Sequence, residues 1–465
     1  MMPQPYHTLT MVETLGHLRS GEITAVELVN AYLERIERIN PLLHAYITVA
    51  AEQALQAAGE VDRRTRAGEP QGPLAGIPLG IKDLIPTQGI RTTGNSRLLE
   101  NWIPSRDAAP IARLKQAGAI ILGKTNTNEF GWSVPREDDL APIPRNPWNP
   151  DLAAIGSSSG SGAGLSAGLC GAAIGTDGGG STRLPAAQMG LAGIKPTHGR
   201  VSRLNMDDSP ISEISPMGHT VEDAALLLES MAGYERDDVQ SVNLPVPAYS
   251  QNLKADLRGW KIGVPRKYIE TTPVETEILK AFDDAILLLR ELGAQVENLD
   301  VHGLAEARMA NFLILNAYEH AEHHLSLQSH PEKYGRSAYP YLLSGGILTA
   351  TDYFNSLSIA NRVRHHLQNI FKEYRALILP TQVFVTSEAA RQPGMHHSGM
   401  GAAFTSPFNA TGHPAISIPC GRSEQVGFPI GFQIVAGLFQ ESTLFQIAYA
   451  FEQASGFRNM APDLS

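Results

Sequence analysis

Two serines, Ser157 and Ser181, lie in two glycine- and serine-rich runs, Ile155 to Gly164 and Gly175 to Ser181. In the second run Gly178, Gly179 and Gly180 free successive backbone N–H groups to converge just before the Ser181 hydroxyl. That is the shape of an oxyanion hole for acyl transfer, with Ser181 placed to attack the carbonyl held there. A serine hydroxyl is a poor nucleophile until a base takes its proton. The 15 histidines show no local hint of a Ser-His-Asp set, so lysine is the other candidate. Lys82 sits in the apolar segment Gly76-Ile77-Pro78-Leu79-Gly80-Ile81-Lys82-Asp83, where a charge is costly without a purpose and desolvation could keep the amine neutral. Pairing of Lys82 with Asp83 or with a distant acid accounts for the same residue structurally, and the segment alone leaves both readings open.

Glycine-rich runs also serve other chemistries. A phosphate-binding P-loop ends in Gly-Lys-Ser/Thr, and Gly156 to Gly164 holds no lysine. Gly160, Gly162 and Gly164 are a fragment of a dinucleotide fingerprint, with no clear strand immediately before them. Gly156-Ser157-Ser158-Ser159-Gly160 matches a nucleophile elbow centred on Ser158, but the preceding Asn149 to Ala154 reads as a turn rather than the strand an elbow needs. Tight turns and close-packed helix entries remain the plain structural reading of both runs.

The order of the motifs resembles the amidase signature family. Its pattern runs Gly-Gly-Ser-Ser-Gly-Gly-Ser, then Gly-Thr-Asp-x-Gly-Gly-Ser-x-Arg-x-Pro, then Gly-x-Lys-Pro-Thr. Gly156-Ser157-Ser158, Gly175 to Pro185 and Gly193-Ile194-Lys195-Pro196-Thr197 match in that order, with the interval the family requires between Ser157 and Ser181. Further likeness runs through Gly76 to Asp83, Gly118 to Phe130 and Pro414 to Gln433. The resemblance implies that Ser181 is acylated, that Ser157 bridges from a cis peptide, and that Lys82 is the general base. It also implies that the N–H groups of Gly178, Gly179, Gly180 and Ser181 hold the oxyanion, that Ser158 is a supporting hydroxyl near Lys82, and that Asp177 and Arg183 fix the loop. No metal and no cofactor is expected. Departures fall outside the triad: Ile155 and Ser159 replace family glycines, Gly178 stands where larger residues are common, and Leu204 to Pro210 is shorter and more polar than the usual run. The substrate pocket is therefore expected to be altered.

These residues need a scaffold. Thr24 and Glu27 form a capping-box pattern before Leu28, Val29, Tyr32, Leu33, Ile36 and Ile39 at helical spacing, and a second helical run covers Val49 to Arg66. Beyond the Gly/Pro punctuation at 68–73, short apolar runs alternate with helical patterns: Ala119 to Leu122, Ala172 to Gly175, Lys261 to Val264, Gln295 to Leu299, Ala376 to Leu379, Ala415 to Pro419 and Ile430 to Val435. That alternation predicts an α/β fold, a mainly parallel or mixed β-sheet between helical layers, and the resemblance implies the three-layer α/β/α amidase signature fold with a central mixed β-sheet. One domain over 1–465 is expected, with N-terminal helices at 1–70, the catalytic core at 74–200 and a helical insertion near 303–374. Thr386 to Thr405, with His396 and His397, reads as a loop that could rim the entrance. His320, His323 and His324 fall at i, i+3, i+4 but lack a zinc-helix signature, and read as a helix face.

Composition bounds the partners. The chain has 465 residues, 37 Lys plus Arg against 47 Asp plus Glu, and 43% hydrophobic residues. A net charge of -10 opposes non-specific phosphate-backbone binding. Cys170 and Cys420 form neither a disulfide framework nor a metal spacing. No secretory or membrane-spanning run is evident, and a cytoplasmic location is expected. The leading expectation is a serine hydrolase of amide C–N acyl bonds, with carbamates, ureas and esters as further substrates. It would act as a monomer or homodimer on a small-molecule amide or carbamate, with no nucleic acid and no membrane partner. The alternative is the glutaminase component of a glutamyl-tRNA amidotransferase, its A chain, which passes ammonia to a partner protein. The polar Leu204 to Pro210 segment and the His/Met-rich loop weigh against a glutamine pocket.

Overall fold

The computed structural model describes residues 6–132, 134–386 and 400–464. Its strands in chain order are β1 (Tyr46–Val49), β2 (Pro78–Lys82), β3 (Ile120–Thr125), β4 (Arg145–Asn146), β5 (Asn149–Ala153), β6 (Ala172–Asp177), β7 (Ala192–Lys195), β8 (Glu213–Gly218), β9 (Lys261–Val264), β10 (Gln295–Asn298), β11 (Ala376–Pro380), β12 (Ala415–Arg422) and β13 (Pro429–Val435). Eleven of them form one sheet in the order β1-β3-β2-β6-β8-β7-β12-β13-β11-β9-β10, while β4 and β5 make a separate hairpin. Pairings β2 with β3 and β6, and β9 with β10 and β11, are parallel; the others in the large sheet are antiparallel. The expected mixed sheet flanked by helices is what the chain forms.

The two faces of that sheet follow from the period-2 alternation of a strand. Ile120 and Leu122 of β3 join one buried apolar cluster, with the helix Ala25–Leu43, whereas Ile121 between them joins the other. Ala173 of β6 likewise parts from Ala172 and Ile174. Strands covered on both sides read as continuous apolar runs, which is why they were legible.

The helix Ala25–Leu43 starts at the Thr24 capping box: Glu27 N–H donates to Thr24 Oγ1 at 3.1 Å and Thr24 N–H to Glu27 Oε2 at 2.8 Å. The second helix begins at Ala51 rather than Val49, because Tyr46–Val49 is drawn into an edge strand against β3. Asn149 to Ala153, expected as a turn, is the second strand of the β4–β5 hairpin. Between 303 and 374 the structure holds the helices Leu304–Ser329, Ala338–Ser344 and Ala350–Ile370. Most of the Thr386 to Thr405 stretch, with His396 and His397, lies outside the described residues. Among the described residues, no helix is long and apolar enough to cross a membrane.

Candidate active site

Register places the first two chemical groups. β2 runs parallel to β6 with Leu79 opposite Ala172, Gly80 opposite Ala173 and Ile81 opposite Ile174. Lys82 at the end of β2 therefore emerges beside Thr176, at the carboxyl ends of parallel strands where open α/β sheets bind ligands. Lys82 is fully buried and donates from Nζ to Ser157 Oγ at 2.7 Å and to Thr176 Oγ1 at 2.7 Å. Desolvation lowers its ammonium to about 7, an effect that Asp177 opposes and Arg203 reinforces. Lys82 forms no ion pair among the described residues. Asp83 instead turns away to Thr93, accepting from its N–H at 3.0 Å and from its hydroxyl, so the Lys82–Asp83 pairing is not made.

Ser157 follows a cis peptide after Gly156 and precedes the short helix Ser159–Ser166. Ser181 stands just before the helix Arg183–Met189, its Oγ unpartnered among the described residues. Both serines line one cavity of about 730 Å³, and no hydrogen bond yet joins the two hydroxyls. Ser158 is fully buried, which removes it as a nucleophile. It clamps the backbone of Thr176, accepting from its N–H at 3.2 Å and donating to its carbonyl at 3.2 Å. Its link to Lys82 therefore passes through Thr176. A Cβ on Gly175 would meet Ser158 Oγ at 2.6 Å, which is why the run needs glycine there.

The loop after β6 is organised by Asp177. Burial alone would raise this carboxyl, but the charge and hydrogen bonds of Arg183 hold it well below the usual carboxylate range. Arg183 Nε reaches Oδ2 at 2.9 Å and Nη2 reaches Oδ1 at 2.9 Å, a fork with both side chains fully buried. Gly180 N–H also donates to Asp177 Oδ1 at 2.7 Å, and Gly180 is buried away from the cavity wall. Gly180 is thus not an open donor, contrary to expectation, because the carboxylate that folds the loop consumes its N–H. The backbone N–H groups of Gly178, Gly179 and Ser181 carry no hydrogen bond among the described residues and belong to residues lining the cavity.

Distant residues complete the brace. Asn311 Nδ2 donates to Gly178 O at 3.1 Å, Thr405 Oγ1 to Gly179 O at 2.6 Å, and Asn409 Nδ2 to Asp177 O at 2.7 Å. Arg183 Nη1 donates to Thr405 O and to Gln433 Oε1, each at 3.0 Å. Thr176, Asn311, Thr405, Asn409 and Gln433 were all missed from sequence. Only Thr176 lay inside a motif, where its hydroxyl could have been found.

The apolar residues Leu84, Trp102, Phe130, Trp132, Phe312 and Phe384 line part of the cavity. Met206, Asp207 and Ser209 from the shortened segment line it too, with Arg203 held to Asp207. Burial, then Asp207, pushes the Glu319 carboxyl up to about 8. His323 lines this cavity with Nδ1 against Tyr334 Oη at 3.0 Å, while His320 Nδ1 meets Leu342 O at 2.9 Å and the exposed His324 contacts Ala321 O at 2.8 Å. The three histidines are used separately.

A buried lysine, two serines in glycine-rich loops and open amides before the second serine define a serine hydrolase site for acyl transfer. The Amidase family model matches residues 27–445, and the chain belongs to the amidase signature family of serine hydrolases acting on C–N bonds. It is 36% identical to the A chain of the glutamyl-tRNA(Gln) amidotransferase of Thermosynechococcus vestitus, over 95% of this chain and 97% of that one. It is 37% identical to the corresponding A chain from Moorella thermoacetica, over 98% of each chain. Among solved structures, a bacterial aryl acylamidase of the amidase signature family superposes with a TM-score of 0.89 at 26% identity, covering 97% of each chain. The likeness to amidotransferase A chains overturns the expectation of a monomer or homodimer acting on a small-molecule amide or carbamate with no nucleic-acid partner. Net charge was the warrant for excluding nucleic acid, and it reports on direct phosphate contact, not on the share one chain takes in a tRNA-dependent complex; the small-molecule reading rested on the polar Leu204 to Pro210 segment and the His/Met-rich loop.

Proposed function

We propose that this chain hydrolyses a C–N acyl bond through an acyl-enzyme on Ser181. The observation that carries the reading is the 2.7 Å hydrogen bond from a fully buried Lys82 to Ser157 Oγ, on the wall shared with Ser181. Neutral Lys82 takes a proton from Ser157 as Ser157 takes one from Ser181, whose Oγ adds to the carbonyl carbon. The tetrahedral oxygen receives the N–H groups of Gly178, Gly179 and Ser181. The C–N bond then breaks as the proton returns through Ser157 to the departing nitrogen. Water repeats the sequence on the ester and releases the acid.

Glutamine is the amide that the amidotransferase relatives support, with ammonia as the leaving group and a partner protein carrying it to a tRNA-bound acyl group. The near-complete, two-way coverage of those relatives is the support. A second reading, an aryl amide such as the name of the aryl acylamidase neighbour suggests, is favoured by the apolar lining of Trp102, Phe130, Trp132, Phe312 and Phe384. Ammonia release from glutamine and amine release from an anilide panel, measured beside Ser181→Ala and Lys82→Ala, test both. Glutamine turnover that appears or rises with partner proteins selects the first, and anilide turnover without glutaminase selects the second. Undiminished turnover in Ser181→Ala would sink the mechanism.

A further inference from the structure

The helix Leu304–Ser329 lies over the oxyanion loop, and residues three and four apart share one of its faces. Asn311 on that face donates to Gly178 O, and Leu315 approaches the Gly178 α-carbon, a Cβ there coming within 3.4 Å of Leu315 Cδ2. One turn before Asn311, Arg308 lines the same cavity. Its Nε is buried with no hydrogen-bond partner. Its Nη1 meets Met400 Sδ at 2.6 Å, and a thioether sulfur is a weak acceptor. Glu306, two residues before it, is exposed and forms no ion pair with it among the described residues. The other guanidinium of the cavity, Arg203, is already held by Asp207 and by Ser212 O at 3.1 Å.

A guanidinium offers five donors in a planar fork that matches a carboxylate, and leaving it underused against an apolar wall is costly. Arg308 is the cavity-lining arginine, among the described residues, whose fork no protein carboxylate occupies. Met400 opens the turn Met400–Ala402, which leads to the Thr405 that braces Gly179. Arg308 therefore lines the cavity that Gly178, Gly179 and Ser181 also line, one helical turn from the Asn311 that braces Gly178.

We propose that Arg308 reads a carboxylate on the substrate, so that the preferred C–N acyl substrates of this site are amides bearing an anionic group. The inference rests on the acyl-enzyme reading of Ser181. The carboxylate belongs either to the acyl half, as in a dicarboxylic acid monoamide, or to the amine half, as in an N-acyl amino acid. It accepts two hydrogen bonds from the Arg308 fork in both cases.

The test compares glutaryl p-nitroanilide with neutral pentanoyl p-nitroanilide for the acyl half, and N-butyryl-4-aminobenzoate with butyranilide for the amine half. The native enzyme favours the anionic member of one pair, and added salt raises KM for that member alone. Arg308→Met raises its KM roughly tenfold or more, the scale of a lost charged hydrogen bond, while the neutral partner changes by less than about twofold. Arg308→Lys keeps part of the preference. Equal losses on charged and neutral substrates in Arg308→Met, or a native enzyme without preference or salt dependence in both pairs, overturn the proposal. Ser181→Ala tests the underlying reading separately, since it must abolish turnover of the neutral anilides whatever Arg308 does.

Discussion

Lys82 Nζ stands 2.7 Å from Thr176 Oγ1, as close as it stands to Ser157 Oγ. The amine is therefore held by two hydroxyls, Ser157 from the turn before the helix Ser159–Ser166 and Thr176 from β6; in the proposed mechanism the first relays and the second only orients. Removing the orienting hydroxyl leaves the relay atoms intact but lets the amine swing. Thr176→Val is expected to lower kcat by about tenfold, the upper end of one hydrogen bond's net contribution, with KM little changed. Thr176→Ser should restore most of it. A steady-state comparison of the three proteins checks this, and unchanged kcat in Thr176→Val would leave Thr176 without a role.

The depressed Lys82 ammonium sets a pH dependence of definite sign. Only the neutral amine can accept a proton, so kcat/KM is expected to rise with pH through an apparent value near 7, where burial places this group. Stability follows the same sign. An unfolded lysine keeps its proton up to its ordinary value of 10.5, so between about 7 and 10.5 the unfolded chain binds the extra proton. Lys82 therefore costs the fold least at the top of that window and most below it. A pH–rate profile of the native protein checks the first point. A flat profile from pH 5.5 to 8.5 would remove Lys82 as base.

Much of this site was legible through the family resemblance, whose motifs are local in the chain; the residues alone left Lys82 open to an ion-pair reading. Asp177, Arg183 and the glycines fall within one run, and the strands that carry Lys82 and Thr176 are buried on both faces and read as apolar segments. The reading failed where the deciding contact comes from far away or from a local competitor. Asn311, Thr405, Asn409 and Gln433 brace the loop from over a hundred residues away, and a single Asn or Thr carries no periodicity to mark it. Gly180 was counted as an oxyanion donor because glycine frees its N–H, but the Asp177 carboxylate three residues back takes that N–H first. Tyr46–Val49 is a strand because β3 offers an edge, which local propensity cannot foresee.

The Asp177–Arg183 fork should dominate the stability of the loop. Asp177→Asn removes the charge that Arg183 needs in a site with no solvent, and breaking one partner of a buried pair costs roughly 3 to 5 kcal/mol. Urea unfolding should show a loss of that order, and activity should fall with it because the amide keeps one acceptor oxygen for the Gly180, Thr182 and Arg183 N–H groups that two carboxylate oxygens hold in the native loop. A variant of native stability would show that the carboxylate's backbone contacts are dispensable.

Gly178 offers the most discriminating test of the oxyanion loop. A Cβ at this position would lie 2.5 Å from Ser212 Oγ but 3.6 Å from Ser212 Cβ, so the clash is with the hydroxyl rather than with the residue as a whole. Gly178→Ala must push either the loop or Ser212, and a displaced donor costs about a hundredfold in kcat when one oxyanion hydrogen bond is lost. Removing the obstruction should undo the damage. The double variant Gly178→Ala with Ser212→Ala is expected to recover most of the native kcat, while Ser212→Ala alone changes little. Failure of the double variant to recover would mean that Gly178 is needed for its backbone conformation and not for the space beside Ser212.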